Sequence, residues 1–504
     1  MQRKQLTLVI VSLLVVVLSV SLAYFTTQII GKGKTVDVSS ANLQIVFTDS
    51  DGALTETDIE PGWSATKTFT IKNDTKTEYK YNIVIKDLLN TFVTNGYLKY
   101  KITSTNGGYN MTEFKDIPKS SIATDTILAY SVVIPNGVTQ SYTIEFKYGN
   151  DESVDQSDDM GKKLGGTLFI TEGTEDPNKT LLTQLLAVKS TKLTRTDFSK
   201  VLTDNNTNTL YTSTEDSKTV YYFAGNATDN WVKFGKNASN QDLYWRIMRT
   251  NSDGSVRLLY HGTSTTATDA YIGESAFNTT NNDPMYVGYM YGTSNSTAID
   301  RSNTNNSTIK TTIDTWYTRN LEAKGYTKYL STTAVYCNDR SNPAGGYNIG
   351  NTAFYYGAYT RLAFNKTPSY DCATTEDKFT ADTSTGNGKL AHPIALMTAD
   401  EVSFAGGLYG TNAPTWYYYN SANGSSTGST YWWLLSPSDW DSGIAYVFYV
   451  DGSSDPGGLR DYYVNGASGV RPAISLKSCT LYSTGNGSAS DPYTIKETTS
   501  TSGC

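Results

Sequence analysis

The residues with the most chemistry to offer crowd one late stretch of the chain. Asp439, Trp440, Asp441, Tyr449, Ser453, Asp455, Arg460, Asp461, Tyr462, Tyr463 and Asn465 read as a contact surface. Tyr and Trp present large, rigid, amphipathic area at low entropic cost, while Ser, Asn and Gly supply adaptable hydrogen bonds. Their ring faces also stack on sugars. Asp439 to Asp441 and Ser453 to Tyr463 are turn-rich, and recognition concentrates in loops on a rigid scaffold. Between them, Ala445, Val447 and Tyr449 alternate with Tyr446, Phe448 and Val450, the pattern of a packed strand. Asp439, Asp441, Asp451, Asp455 and Asp461 could gather a hard cation, but their spacing matches no calcium-loop motif. Nothing in the sequence selects two of them as a glycosidase pair. Arg471 reads as a structural arginine under the last strand. No metal site is expected.

Other catalytic chemistries find little support. There are only two histidines, His261 and His392, far apart in the chain and outside any HExxH pattern. A Ser-His-Asp or Cys-His arrangement would have to use one of them. No CxxC, no GxxxxGK[ST] and no dinucleotide fingerprint occurs. The expectation is a protein that is not an enzyme and carries no cofactor.

Composition says where such a surface would work. The 504 residues carry 41 Lys+Arg against 48 Asp+Glu, a net charge of −7. That balance argues against a nucleic-acid partner, which calls for a basic face. Charged residues are only 18%, while 41 Gly and 38 Tyr point to a polar, β-rich exterior. Arg3 and Lys4 precede an uncharged run from Leu6 to Ile30, so the chain beyond Ile30 should be exported. Residues 1–30 read either as a signal peptide cleaved after Ala23 or as an uncleaved anchor placing residues 6–30 in the membrane. Export suits the four cysteines. Three pairings are open, and Cys337 with Cys372 and Cys479 with Cys504 are the first choice.

The elements that carry these residues divide the chain. Over 31–175, apolar residues alternate along short segments: Leu43, Ile45 and Phe47; Phe69 and Ile71; Tyr81, Ile83 and Ile85; Leu98, Tyr100 and Ile102; Tyr142, Ile144 and Phe146. Pro61-Gly62, Asn106-Gly107 and Asn136-Gly137 supply turns. This predicts an antiparallel β-sandwich, jelly-roll-like. Residues 176–215 read as a linker with a short helix at Leu181, Leu182, Leu185 and Leu186. Residues 216–497 form an α+β domain, and 498–504 a tail. In that domain a hairpin turns at Asp253-Gly254, a helix carries Ile309, Ile313, Trp316, Tyr317 and Leu321, and Thr398-Ala399-Asp400-Glu401 opens a second helix with a capping box.

Two resemblances add expectations. The leader ending Leu22-Ala23-Tyr24-Phe25, the strand Ala41 to Phe47, and Ile59-Glu60-Pro61-Gly62 with Thr68 to Asn73 after it resemble the camelysin/TasA family of exported Gram-positive proteins. That likeness implies a cell-surface or matrix-fibre role, with self-assembly through the N-terminal domain. The family's metalloprotease label does not carry over to a segment without histidine. Further on, Trp245-Arg246-Ile247, Met397 to Glu401 and Gly469-Val470-Arg471-Pro472 resemble an uncharacterised domain of Gram-positive surface proteins. The Gly-Val-Arg-Pro ending is also similar to the C-type-lectin-like fold of formylglycine-generating enzymes and hypervariable receptors. The enzymes' active-site cysteine pair has no counterpart here, because Cys337 and Cys372 lie upstream of the matching region. The receptor likeness implies a binding surface just before Gly469.

These features together point to an exported cell-surface protein that binds a glycan or protein ligand through its C-terminal loops, with the β-sandwich as stalk or assembly module. The alternatives are a subunit of an extracellular fibre and a hydrolase with an unrecognised site.

Overall fold

The computed structural model describes residues 35–40, 43–49, 54–55, 59–267, 270–293, 297–342, 353–417 and 431–504. The leader of residues 1–30 and its cleavage after Ala23 lie outside them. The chain divides into two compact units meeting at Pro177 and Asn178. With 38% strand and 13% helix, the fold is β-rich with a helical minority.

In the first unit, β1 (Thr35–Ser40), β2 (Leu43–Asp49), β3 (Leu54–Thr55), β4 (Ser64–Asn73) and β5 (Tyr79–Asn90) precede β6 (Leu98–Ser104), β7 (Lys115–Asp116), β8 (Ser120–Ile134), β9 (Thr139–Tyr148) and β10 (Leu164–Glu172). They form two antiparallel sheets, ordered β1-β2-β4-β9-β6-β7 and β3-β10-β5-β8. The period-two pattern explains why: Phe69, Ile71, Tyr81, Ile83, Ile102, Ile144 and Phe146 all enter one core. The turn residues also behave as their types require, with Asn106, Gly107 and Gly137 all at positive φ. The β8 strand closes the smaller sheet with Ser121 to Asp125 exposed and Ile122 at 75% exposure.

The second unit takes in more chain than the sequence suggests. Residues 176–215, expected as a linker with a short helix, supply that helix at Leu181–Val188 and also the strands Thr191–Thr194 and Thr209–Glu215. Leu181 and Leu185 account for the difference, since both are buried in the unit's main core. The tail is also tied in, with Lys477 Nζ donating to the carbonyl of Ser502 at 2.6 Å.

The main sheet of this unit runs Thr191–Thr194, Thr209–Glu215, Lys218–Tyr222, Asp242–Thr250, Val256–Gly262, Pro472–Leu476, Ile394–Leu396. The predicted hairpin is there, its turn closed by Gly254 at φ 80°. The helix Thr308–Tyr317 buries Ile309, Ile313 and Tyr317 and continues as a wider turn, Thr318–Glu322, to Leu321. The capping box forms as well. Thr398 Oγ1 accepts from the Glu401 amide at 3.1 Å, and Glu401 Oε2 accepts from the Thr398 amide at 2.9 Å.

Buried charges fasten that helix, Ala399–Ala405, to the main sheet. Glu401 Oε1 receives hydrogen bonds from Arg249 and Arg257, each at 2.8 Å, and Arg249 also reaches Glu215 at 2.8 Å. Burial pushes the Glu401 carboxyl up, but the two guanidinium charges outweigh it and hold the group below its ordinary range. The motif arginines are structural. Arg246 donates to Asn230 and to the carbonyls of Tyr417 and Ala227, while Arg471 donates to the Tyr260 carbonyl and lies 4.7 Å over the Trp432 ring.

Cys337 pairs with Cys372 and Cys479 with Cys504, each with Cα atoms 5.6 Å apart. Two disulfides fit an oxidising, extracellular setting. Among the described residues no helix is long and apolar enough to cross a membrane.

Candidate functional site: an acidic aromatic face

A second sheet in this unit carries the late aromatic stretch. Its strands run Glu274–Ala276, Ala467–Gly469, Trp432–Asp441, Ile444–Val450, Leu459–Tyr463, and Phe354–Tyr355 also pairs with Trp432–Asp441. Ser442 at φ 51° and Gly443 at φ 79° make the two-residue turn between the central strands. Positive φ at both positions is what a tight hairpin of matching twist needs.

Strand alternation sorts the side chains. Tyr355 pairs with Asp439, Tyr446 with Tyr463, and Phe448 with Asp461. Cross-strand partners share a face. Phe354 pairs with Trp440 on the opposite side, where both are buried.

Trp440 is therefore a correction to the expected contact set: it is fully buried and braces the sheet. Asp439 and Asp441 stand at the end of a strand, not in a loop, and Asp439 is itself buried at 8% exposure. Leu459–Tyr463 is likewise a strand. The turn before it is built by Asp451, whose carboxylate accepts the amides of Ser453 (2.7 Å), Ser454 (3.1 Å) and Asp455 (3.0 Å). Arg460 pairs with Asp455. The five aspartates thus do not converge on one point, and two of them are committed to the turn and its ion pair. Among the described residues no group of three or more His, Cys, Asp or Glu is placed to hold a metal.

The rest of the expected set divides between the two sides. Tyr462 packs 5.9 Å from Tyr449 and 3.9 Å from Tyr463, and Tyr449 packs 5.1 Å from Tyr431. The Tyr431 hydroxyl meets that of Ser453. Asn465 accepts from Asn281 at 3.0 Å. Asp461 and Tyr463 lie on the Asp439 side.

That side holds aromatic rings outside the late stretch. Tyr355 and Tyr359 stack with centroids 4.3 Å apart and planes 15° apart, and Phe364 stands edge-on to both. Phe364 is 58% exposed and Tyr355 39%. Tyr359 and Tyr409 lie over the buried Phe448 ring, and the Tyr409 hydroxyl donates to Asp461 at 2.6 Å. Three of the missed rings, Tyr355, Tyr359 and Phe364, sit in the stretch bounded by Cys337 and Cys372, whose Tyr-rich composition was the available signal; Tyr409 lies beyond it.

Local structure holds this platform in place. Arg361, two residues after Tyr359, donates to Asp339 at 2.6 Å and to both oxygens of Asp400 at 3.0 and 2.9 Å. A Cβ at Gly357 would lie 2.2 Å from Ser341 Oγ and 2.9 Å from Asp339 Oδ2, so any side chain there would displace the groups around Arg361.

The electrostatics of the face are one-sided. Burial pushes the Asp439 carboxyl up to about 7, with the nearby charge of Asp461 adding to the shift. Tyr446 and Tyr359 are also raised, first by burial and then by neighbours that include Asp439 and Asp461. Asp439, Asp441 and Asp461 accept hydrogen bonds from Ser438, Ser442 and Tyr409, and among the described residues none of the three forms an ion pair.

The two histidines lie elsewhere. His261 is buried edge-on to Trp231 at 4.4 Å, and His392 stacks on Tyr317 at 4.6 Å.

No family model matches this chain, and no curated protein matches it. Among solved structures, AvmM, described as catalysing macrocyclization in alchivemycin A biosynthesis, is 11% identical with a TM-score of 0.16, over 28% of this chain and 98% of that one. A ruminal GH26 endo-β-1,4-mannanase is 16% identical with a TM-score of 0.14, over 28% of this chain and 26% of that one. Likenesses this slight assign neither fold nor activity.

Proposed function

We propose that this chain is an exported surface protein whose second unit, a C-type-lectin-like domain, binds a glycan or protein ligand. The first unit, a jelly-roll-like β-sandwich of the camelysin/TasA kind, serves as stalk or assembly module. The two disulfides support a site of action outside the cell. One observation carries the binding reading. Tyr355, Tyr359, Phe364 and Tyr409 line a face whose carboxylates form no ion pair among the described residues. Exposed aromatic area of this kind, backed by unspent polar groups, marks an interaction site. Screening the full chain against immobilised glycans and whole cells tests the proposal. Binding that is lost in a Tyr355→Ala/Phe364→Ala variant supports it, and undiminished binding places the surface elsewhere.

Two other readings each rest on an observation. The exposed edge of β8, with Ile122 at 75% exposure, favours a fibre subunit that pairs strands with its neighbours. Polymerisation of the full chain, abolished by Ile122→Lys, would select that role. The raised Asp439 near Asp461 favours a hydrolase, since glycosidases pair a protonated acid with a second carboxylate. Release of sugar from a bound glycan, lost in Asp439→Asn, would select that one.

A further inference from the structure

The ligand of this face can be narrowed by chemistry, on the proposal just made that the face binds a ligand. Tyr355 and Tyr359 stack face to face with Phe364 edge-on to both, so the three form one aromatic cluster whose open area is supplied by Phe364 and Tyr355. Beside it lie Asp439, paired across strands with Tyr355, and Asp461, which holds the Tyr409 hydroxyl. The face spans four strands, from Phe354–Tyr355 to Leu459–Tyr463, roughly 14 Å across at ordinary strand spacing.

Each part of this arrangement favours a different feature of a ligand. The exposed Phe364 and Tyr355 rings favour a partner with C–H bonds on one side, as a pyranose has. Phenol hydroxyls at Tyr359, Tyr409, Tyr446 and Tyr463 favour a partner rich in hydroxyls. Carboxylates without an ion pair favour a cation, and aromatic faces add to that preference. A neutral sugar would leave those charges unanswered. A lysine-rich peptide would answer them but cover little of the exposed ring area.

We infer that the face binds a saccharide bearing free amino groups, with a pyranose ring against the exposed Phe364 and Tyr355 rings and an ammonium group at Asp439 and Asp461. The amino group is the discriminating feature, because it alone engages the carboxylates. Acetylating it removes the charge and should weaken binding even though the ring face is unchanged.

The test titrates the full chain with a glucosamine tetramer, its N-acetylated counterpart and an oligolysine of equal charge, by calorimetry at pH 7. The expected result is that the amino form binds at least about tenfold more tightly than the acetylated form, about 1.4 kcal/mol, and more tightly than oligolysine. Asp461→Asn should bring the two sugar forms to parity. Phe364→Ala should weaken both, with an unchanged unfolding midpoint showing an intact fold. Equal binding of the two sugar forms would overturn the cation inference while leaving glycan binding in place. Tighter binding of oligolysine would overturn it in favour of a basic protein partner. Failure of all three, together with an empty glycan and cell screen, would remove both the inference and the binding proposal beneath it.

Discussion

Asp439 stands directly across from Tyr355 on the neighbouring strand, so a buried carboxyl and an exposed ring share one face of the sheet. The position makes that acid unusual. Burial and the charge of Asp461 raise it to about 7, far above its value in an unfolded chain.

The sign of the resulting pH effect is definite. Between about pH 4 and pH 7 the folded protein keeps a proton that the unfolded chain has released, so Asp439 lowers stability as pH rises through that window. Asp439→Asn removes this contribution. The variant should gain stability over the parent at pH 8, by up to about 4 kcal/mol, and gain little at pH 4. Denaturant unfolding of both proteins at the two pH values checks it.

Glu401 should behave in the opposite way. Its carboxylate bridges Arg249 and Arg257 in the core, and its folded value lies below the ordinary range. Its contribution is present above the unfolded value, about pH 4.3, and fades as pH falls through the folded one. Glu401→Gln leaves two buried guanidinium groups without their common partner and should cost about 3–5 kcal/mol at pH 7. Urea unfolding measures the loss.

Trp440 and Phe364 should separate fold from surface. Trp440→Ala opens a cavity in a packed core and should cost about 3–5 kcal/mol. Phe364→Ala, at an exposed ring, should change stability by less than about 0.5 kcal/mol. Chemical unfolding of the two variants decides the point. A small effect at Trp440 would contradict its burial.

The disulfide between Cys337 and Cys372, 35 positions apart, closes a loop that includes the aromatic platform. Replacing both cysteines by serine should cost about 3–4 kcal/mol in the chain-entropy account. It should also raise hydrogen exchange over residues 353–366 more than over the hairpin 242–262. Exchange mass spectrometry reads both regions in one experiment.

Different parts of the structure left signals of different strength in the sequence. Alternation exposed β4, β5, β6 and β9, because each buries one face in a single core. The Thr398–Glu401 capping box and the Asp253-Gly254 turn were equally plain, since each is decided within a few residues. Thr191–Thr194 was not visible, because it is exposed throughout and is specified only by its parallel partner, Thr209–Glu215. Trp440 misled for a similar reason. Between two aspartates it looks exposed, and only its pairing with Phe354 shows which way it turns. The platform of Tyr355, Tyr359 and Phe364 came from a distant segment, which no local pattern links to Asp439 and Asp461.

The second unit begins and ends in the same place. Thr180 bridges to Leu481, the amide of Tyr482 donates to the Lys179 carbonyl at 2.8 Å, and the strand Tyr493–Thr494 lies beside Trp231–Lys236. Tension applied through Lys179 and Tyr482 would meet at adjoining points, peeling a few amide contacts one by one without shearing whole sheets. The seam would then yield first, and the sheet carrying Tyr355 and Asp461 would be spared most of the load.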